Sequence, residues 1–332
     1  MERRDFFGFT AMIGGGMLLS ACNQGDAATA TTQTKPTGAV TLVYEMRVAG
    51  PTANTTVQTN ITSLKTTMSG KTGYLGLSFK KMTGESTMVK NYPNNLKGVL
   101  NNGFVGNSKV PNFYSLFIRF DSYDNMITSG VQSWFTTNIV PSLFAYNAAT
   151  SSYTTIALDY YEGVYVTVAA GNRTSIYTTQ TDIVNFLKNQ SDEITVPRVT
   201  VQNHVMIKNA NLTDFNTKIQ VLLTTAQQTY MPTTEPTGIG LAAIENTGLV
   251  ADTTDTNYRK AVTTEILQNA FTDGDLRSYI MHGVWESVGD HENSHIDIRF
   301  QQASGPVGAY VVVGPVEPFY TTIAQDGVAP AV

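Results

Sequence analysis

From Val40 to Val48 the chain reads VTLVYEMRV, a run rich in β-branched residues that predicts a strand, and Val199–Lys208 (VTVQNHVMIK) reads the same way. An apolar stripe at helical spacing follows each run. Val57, Ile61, Leu64 and Met68 stand at i, i+4, i+7 and i+11, and Phe215, Ile219, Leu222 and Ala226 repeat those intervals, so each stripe fits one buried helix face. Further along, GYLGLSFKKMTG (73–84), LKGVLNNGF (96–104) and YSLFIRFDS (114–122) have counterparts in GIGLAAIENTG (238–248), EILQNAF (265–271) and IMHGVWES (280–287). Gly76-Leu77 aligns with Gly240-Leu241, Phe104 with Phe271 and Asp121-Ser122 with Glu286-Ser287, at offsets of 164, 167 and 165.

The chain therefore contains one unit twice. Each copy is expected to run strand, helix, strand, helical insertion, strand, helix, strand, closing on Tyr153–Tyr161 in the first and Gly314–Ile323 in the second. That β-α-β-β-α-β order is ferredoxin-like and the class is α+β. Residues 39–170 form the first repeat, 196–332 the second, and 171–195 a linker with a short helix over Ile183–Leu187. Two such sheets packed face to face would make an α+β barrel within one chain.

The start of the chain changes the expected location. MERRDFFGFTAMIGGGMLLSAC has the form of an export signal, with Arg3 and Arg4 before an apolar stretch, Phe6 to Leu19, too short and too glycine-rich to stay as a spanning helix. Leu19-Ser20-Ala21-Cys22 resembles a bacterial lipobox, which implies cleavage after residue 21 and a lipid on Cys22. Arg3-Arg4-Asp5-Phe6-Phe7 resembles a twin-arginine signal, although a Sec lipoprotein also begins this way. The expected site is the bacterial cell envelope, with the protein anchored to a membrane through Cys22, facing the periplasm or the outer surface, on a flexible tether over 22–38. Cys22 is the only cysteine, so disulfides, cysteine metal sites and thiol nucleophiles are excluded from the folded part. A formal net charge of −5 with 14% charged residues and no basic patch argues against nucleic acid; a small-molecule substrate is expected only with the metal site considered next, and homo-oligomers remain open.

Candidate chemistry is asymmetric between the copies. All four histidines, His204, His282, His291 and His295, fall in the second; at the offset of 165, Met126 stands in the first copy for His291 and Gly130 for His295. Ser287 and Asp290 form an S-x-x-D capping box that starts a helix, placing His291 and His295 one turn apart on one face, with Cβ atoms about 6 Å apart. Glu317, held between Pro315 and Pro318 on the next strand, is the candidate for a third ligand. Two histidines and a carboxylate with open positions suit iron(II), and zinc with a bound water equally. The letters H-E-x-x-H also occur in zinc metallopeptidases, but here charged Asp290, Asp297 and Arg299 flank the pair, and Gly305-Pro306 and a β-rich run separate it from Glu317.

The run W-E-S-V-G-D-H-E-N-S-H (285–295) followed by G-P-V-E-P-F-Y (314–320) resembles the iron site of the sulfur oxygenase reductases, which share a ferredoxin-like fold. The resemblance implies iron ligands at His291, His295 and Glu317, with Trp285, Asp290, Glu292, Gly314, Pro315, Pro318 and Tyr320 around them, and oxygen chemistry on sulfur compounds. Two features depart from that family: its iron lies in the first half of its chain, and its active-site cysteine has no counterpart near Lys218–Leu223 (KIQVLL). Asp290 and Glu292 are expected to support the ligands, with His282 as a further supporting residue. The wider group of α+β barrels also contains small monooxygenases of the antibiotic-biosynthesis type and haem-binding members; haem would need one axial histidine and a large apolar cavity. A non-catalytic surface module with a structural metal is the competing reading outside enzymology.

Overall fold

A computed structural model describes residues 33–48, 51–85, 112–143, 145–147, 152–154, 160–229, 261–294 and 298–328. The first half comprises β1 (Val40–Val48), α1 (Pro51–Met68), β2 (Tyr74–Glu85), β3 (Asn112–Phe120), α2 (Tyr123–Ser129), α3 (Val131–Asn138), a small hairpin of β4 (Ala145–Asn147) and β5 (Ser152–Thr154), and β6 (Tyr160–Asn172). A short β7 (Ile176–Tyr177) and α4 (Gln180–Lys188) lead to the second half. There β8 (Val199–Lys208), α5 (Leu212–Thr224), β9 (Thr263–Asn269), β10 (Leu276–Trp285), α6 (Val288–Ser294), α7 (Ile298–Gly308), β11 (Val311–Val316) and β12 (Pro318–Gln325) follow.

Strand pairing confirms the duplicated ferredoxin-like order. The first half aligns β6-β1-β3-β2 and the second β12-β8-β10-β9, all antiparallel. Each is the order 4-1-3-2 of a β-α-β-β-α-β unit. The halves meet differently from the expected face-to-face packing. They join edge to edge, β2 to β12 and β6 to β9, and the ring closes into an eight-stranded barrel. Helices cover the outside. The cause is geometric: each four-stranded sheet has two free edges, and pairing both with the other copy satisfies their backbone groups.

Closure divides each strand into an outer and a lumen face. Outward residues of the first half, among them Leu42, Tyr44, Leu77, Ile118 and Phe120, pack with Val57, Ile61, Leu64 and Met68 of α1 in one apolar cluster. In the second half Phe215, Ile219 and Leu223 of α5 pack on Val205, Ile207 and Tyr279, while Leu222 is only half-buried. The lumen is more polar. Lys80 donates to Thr200 (3.0 Å), to Thr322 (2.7 Å) and to the carboxylate of Glu193, which the linker inserts from one end. Arg119 bonds Glu265 at 3.0 Å, and Thr167 donates to the same carboxylate at 2.7 Å. Burial pushes the Glu193 carboxyl up, but Lys80 beside it, with Thr322 and Thr200, outweighs this and holds it below its ordinary value.

Several boundaries move. EILQNAF lies largely within strand β9, not a helical insertion: Glu265 and Leu267 enter the lumen while Ile266 packs outward, the alternation of a strand. The first closing strand is β6, starting at Tyr160, and it reaches Asn172, so the linker begins later than expected. The expected linker helix is α4. Gly305 and Pro306 lie inside the last turns of α7, which ends at Gly308, and the β-rich run expected after them is β11. The stretches at 96–104 and 238–248 lie outside the described residues, as does the signal with Cys22, and the strand that matches β2 is β9, so Leu77 corresponds to Thr264 and not, as expected, to Leu241. Among the described residues no helix is long and apolar enough to cross a membrane.

Candidate functional site

The S-x-x-D box forms as expected. Asp290 N donates to Ser287 Oγ at 3.1 Å, and Ser287 Oγ donates back to Asp290 Oδ2 at 2.6 Å, fixing the start of α6. His291 lies in the next turn and is buried. Its ring stands nearly perpendicular to Trp285 (centroids 5.3 Å, 80°) and to Phe319 (5.4 Å, 82°). Two aromatic rings, from β10 and β12 on either side of β8, thus hold the imidazole plane.

Glu317 arrives from the corner between β11 and β12. Gly314 permits that corner: its φ is +99°, and a Cβ there would sit 2.5 Å from the carbonyl oxygen of His204. Val316 then pairs with His204, and Glu317 is 7% exposed, with Oε1 accepting from Nδ2 of Asn203 on β8. Two residues on, Phe319 touches His291. Glu317 and His291, 26 positions apart in sequence, are therefore brought to one small region on the outer face of the second sheet. His295 and the Glu292 side chain lie outside the described residues. Among the described residues no group of three His, Cys, Asp or Glu converges as a metal cage. The pair present, a buried imidazole and a buried carboxylate, has the donor chemistry of an iron(II) or zinc site.

Other expected residues separate from this region. His282 points into the lumen, 5.2 Å from the Phe117 ring and 4.0 Å from Glu265 Oε2, with the sheet between it and His291. It cannot support the ligands, because strand alternation sends 282 and 285 to opposite faces. Burial, with Lys80 and Arg119, holds its pKa well below the ordinary histidine value. His204 also enters the lumen, 3.2 Å from Glu45 of β1. Tyr320 lies on the lumen side as well, its pKa raised by burial and by Glu45. Asp290 is buried and serves the helix cap.

Pseudo-symmetry reveals residues that motif reading missed. Val201 pairs with Phe319 and Gly283, as Leu42 pairs with Val164 and Ile118. On that register Tyr44 corresponds to Asn203, Ile118 to Gly283, Leu77 to Thr264, Glu162 to Glu317 and Met126 to His291. α5 ends in a widened π-type turn, Thr225–Thr229, which buries both Ala226 and Gln227 where α1 buries Met68. The signal was available in sequence: a second alignment at the offset of 159 that puts Tyr44 against Asn203.

Similarity to known proteins agrees with the architecture. Residues 168–323 match the family described as the CT0912-like, C-terminal domain, and residues 39–125 match the ABM-like domain. No curated protein matches the chain. Among solved structures, a candidate monooxygenase from Fusobacterium nucleatum is 9% identical with a TM-score of 0.49, covering 87% of this chain and 94% of that one. A candidate monooxygenase from Lactobacillus acidophilus is 8% identical (TM-score 0.46; 87% and 96% covered). A mutant chlorite dismutase from Candidatus Nitrospira defluvii is 10% identical (TM-score 0.37; 86% and 92% covered). The chain is an α+β protein of two ferredoxin-like units closed into one barrel, and residues 39–125 of the first unit match the ABM-like domain.

Proposed function

We propose that the chain is an oxygenase-type protein that holds one metal ion, iron(II) before zinc, through His291, His295 and Glu317, and acts on a small molecule. One observation carries the reading: the buried Glu317 carboxylate lies two residues from the ring that contacts buried His291. A metal bound there would supply the redox or Lewis-acid chemistry. The residues around it have separate tasks. Asn203 fixes one carboxylate oxygen, Trp285 and Phe319 keep water from the imidazole and hold its plane, and the Ser287–Asp290 box sets the helix that carries it. The reading includes attachment to a membrane through a lipid on Cys22, and sulfur compounds as the first substrates to try.

The test is elemental analysis of the purified protein beside a His291→Ala/His295→Ala variant. Iron or zinc near one equivalent in the wild type and absent from the variant supports the site; equal content in both removes it. Oxygen consumption with sulfide, polysulfide and elemental sulfur then examines the substrate. Uptake with none of the three removes the sulfur assignment.

A further inference from the structure

One ionisable pair stands apart from the buried lumen network and from the region of His291. Around the ring of eight strands β8 lies four places from β1, so the first strands of the two repeats face each other across the lumen. On the register that matches Tyr44 to Asn203, the next residues match Glu45 to His204. These equivalent positions meet: His204 Nε2 lies 3.2 Å from Glu45 Oε1, one side chain from each half. His204 is four residues along β8 from Thr200, toward the end of the lumen opposite Glu193. The His204 and Glu45 side chains are 26% and 32% exposed, whereas the Lys80–Glu193 and Arg119–Glu265 pairs are sealed inside.

The contact is not an ordinary hydrogen bond. Glu45 Oε1 is shielded from solvent and accepts from no donor among the described residues, so no N–H is aimed along the line between the two atoms. A separation of 3.2 Å without that alignment suits two ligands of one ion. With metal–ligand bonds of about 2.1 Å, it corresponds to an angle of about 100° at the metal. Hydroxyl groups gather beside the pair. Tyr161 pairs directly with Glu45 across β6 and β1; its hydroxyl lies 3.1 Å from that of Tyr165 and accepts from Asn269 Nδ2 at 3.1 Å. Ser278 Oγ joins both, 3.4 Å from the Tyr165 hydroxyl and 3.1 Å from Asn269 Nδ2. Such a cluster offers hydrogen bonds to water carried by an ion.

We infer that Glu45 and His204 hold a divalent cation of the zinc class at this mouth of the lumen, bridging the two halves, with water in its remaining positions. An imidazole beside a carboxylate suits zinc, copper or nickel, whereas magnesium and calcium take oxygen ligands. The site is separate from the one proposed at His291, which lies on the outer face of the second sheet, and it uses none of the same residues. Among the described residues no third His, Cys, Asp or Glu joins the pair. Two protein ligands leave the ion exchangeable, so a desalted sample gives it up and elemental analysis still reads the first site. Its effect is on cohesion: an ion that binds both halves only when they are folded favours the folded chain.

The experiment uses the full, desalted chain with zinc sulfate as the probe and magnesium chloride as the control. Calorimetric titrations and melting curves are run on the wild type, His204→Gln, Glu45→Gln and His291→Ala/His295→Ala. The expected result is one weak zinc-binding step in the wild type that raises Tm by a few degrees, with no response to magnesium. That step should persist in His291→Ala/His295→Ala and weaken at least tenfold in both glutamine variants. Glutamine keeps the size and a polar end of each side chain, so zinc-free Tm should stay within a degree or two of the wild type. A weak step that survives both glutamine variants, or no such step in the wild type, overturns the inference. So does a lower zinc-free Tm with no zinc response, which makes the pair a plain ion pair. Loss of the step in His291→Ala/His295→Ala alone would assign the ion to the first site, whereas absence of metal from the desalted wild type removes the first site and leaves this one standing.

Discussion

The two halves share strand order, helix placement and even a carboxylate at the matching strand position, yet their outer layers differ at three matched places. In the first half Tyr44 stacks on Phe135 with centroids 3.7 Å apart, Met126 is buried beside them, and Gln132 donates to Glu162 at 2.6 Å. In the second half the matching places hold Asn203, His291 and Glu317. At these places one copy packs aromatic and apolar side chains between helix and sheet, and the other places polar ones, while α5 still packs on an apolar layer of its own. The fold tolerates that loss because the lumen network, in which Lys80 of the first half meets Thr200 and Thr322 of the second, joins the halves from inside.

The comparison can be broken most directly at the stack. Phe135→Ala should cost about 3–5 kcal/mol in denaturant unfolding, the range for a large buried aromatic; a cost near zero would mean the first half is not the packed one. Next in size, Met126→His puts the second-half residue into the hydrocarbon layer and should cost about 2 kcal/mol, because no partner awaits the imidazole there. The reciprocal change, His291→Met, should leave stability within about 1 kcal/mol and abolish metal content, which sharpens the contrast between cohesion and chemistry. The smallest effect is one of pH. His282 has a folded-state pKa depressed by burial, so the unfolded chain binds the extra proton. Stability is then full above about pH 6.5, the unfolded value, and declines as pH falls toward the folded one. His282→Gln should flatten that acid-side slope in a pH series of melting curves.

Much of this was legible in the sequence, and the exceptions have a common cause. Strands β1 and β8 fall at the expected bounds, the α1 stripe is buried at all four expected positions, and the Ser287–Asp290 cap forms, because each depends on local periodicity or a local hydrogen bond. The barrel was expected, but the edge-to-edge manner of its closure was not legible. It buries Lys80, Arg119, Glu265 and Thr200 in the lumen, positions that strand alternation alone would turn toward water. His282 was misplaced for the same reason, since which face of β10 turns to the lumen depends on that closure. β9 was misjudged because its Glu265 reads as polar surface until Arg119 is brought across to it. That the strand of Glu317 lies near the helix of His291 was expected from the ferredoxin-like order, whereas Asn203, Thr264 and Gln227 carry no motif.

The joining of both copies in one polypeptide has an evolutionary corollary. In an assembly of two identical subunits every substitution appears twice, so a change that trades rigidity for chemistry weakens both sides at once. A fused pair escapes that constraint. Met126 could stay while its twin became His291, and a single reactive centre could arise on a scaffold whose other flank went on serving only as ballast.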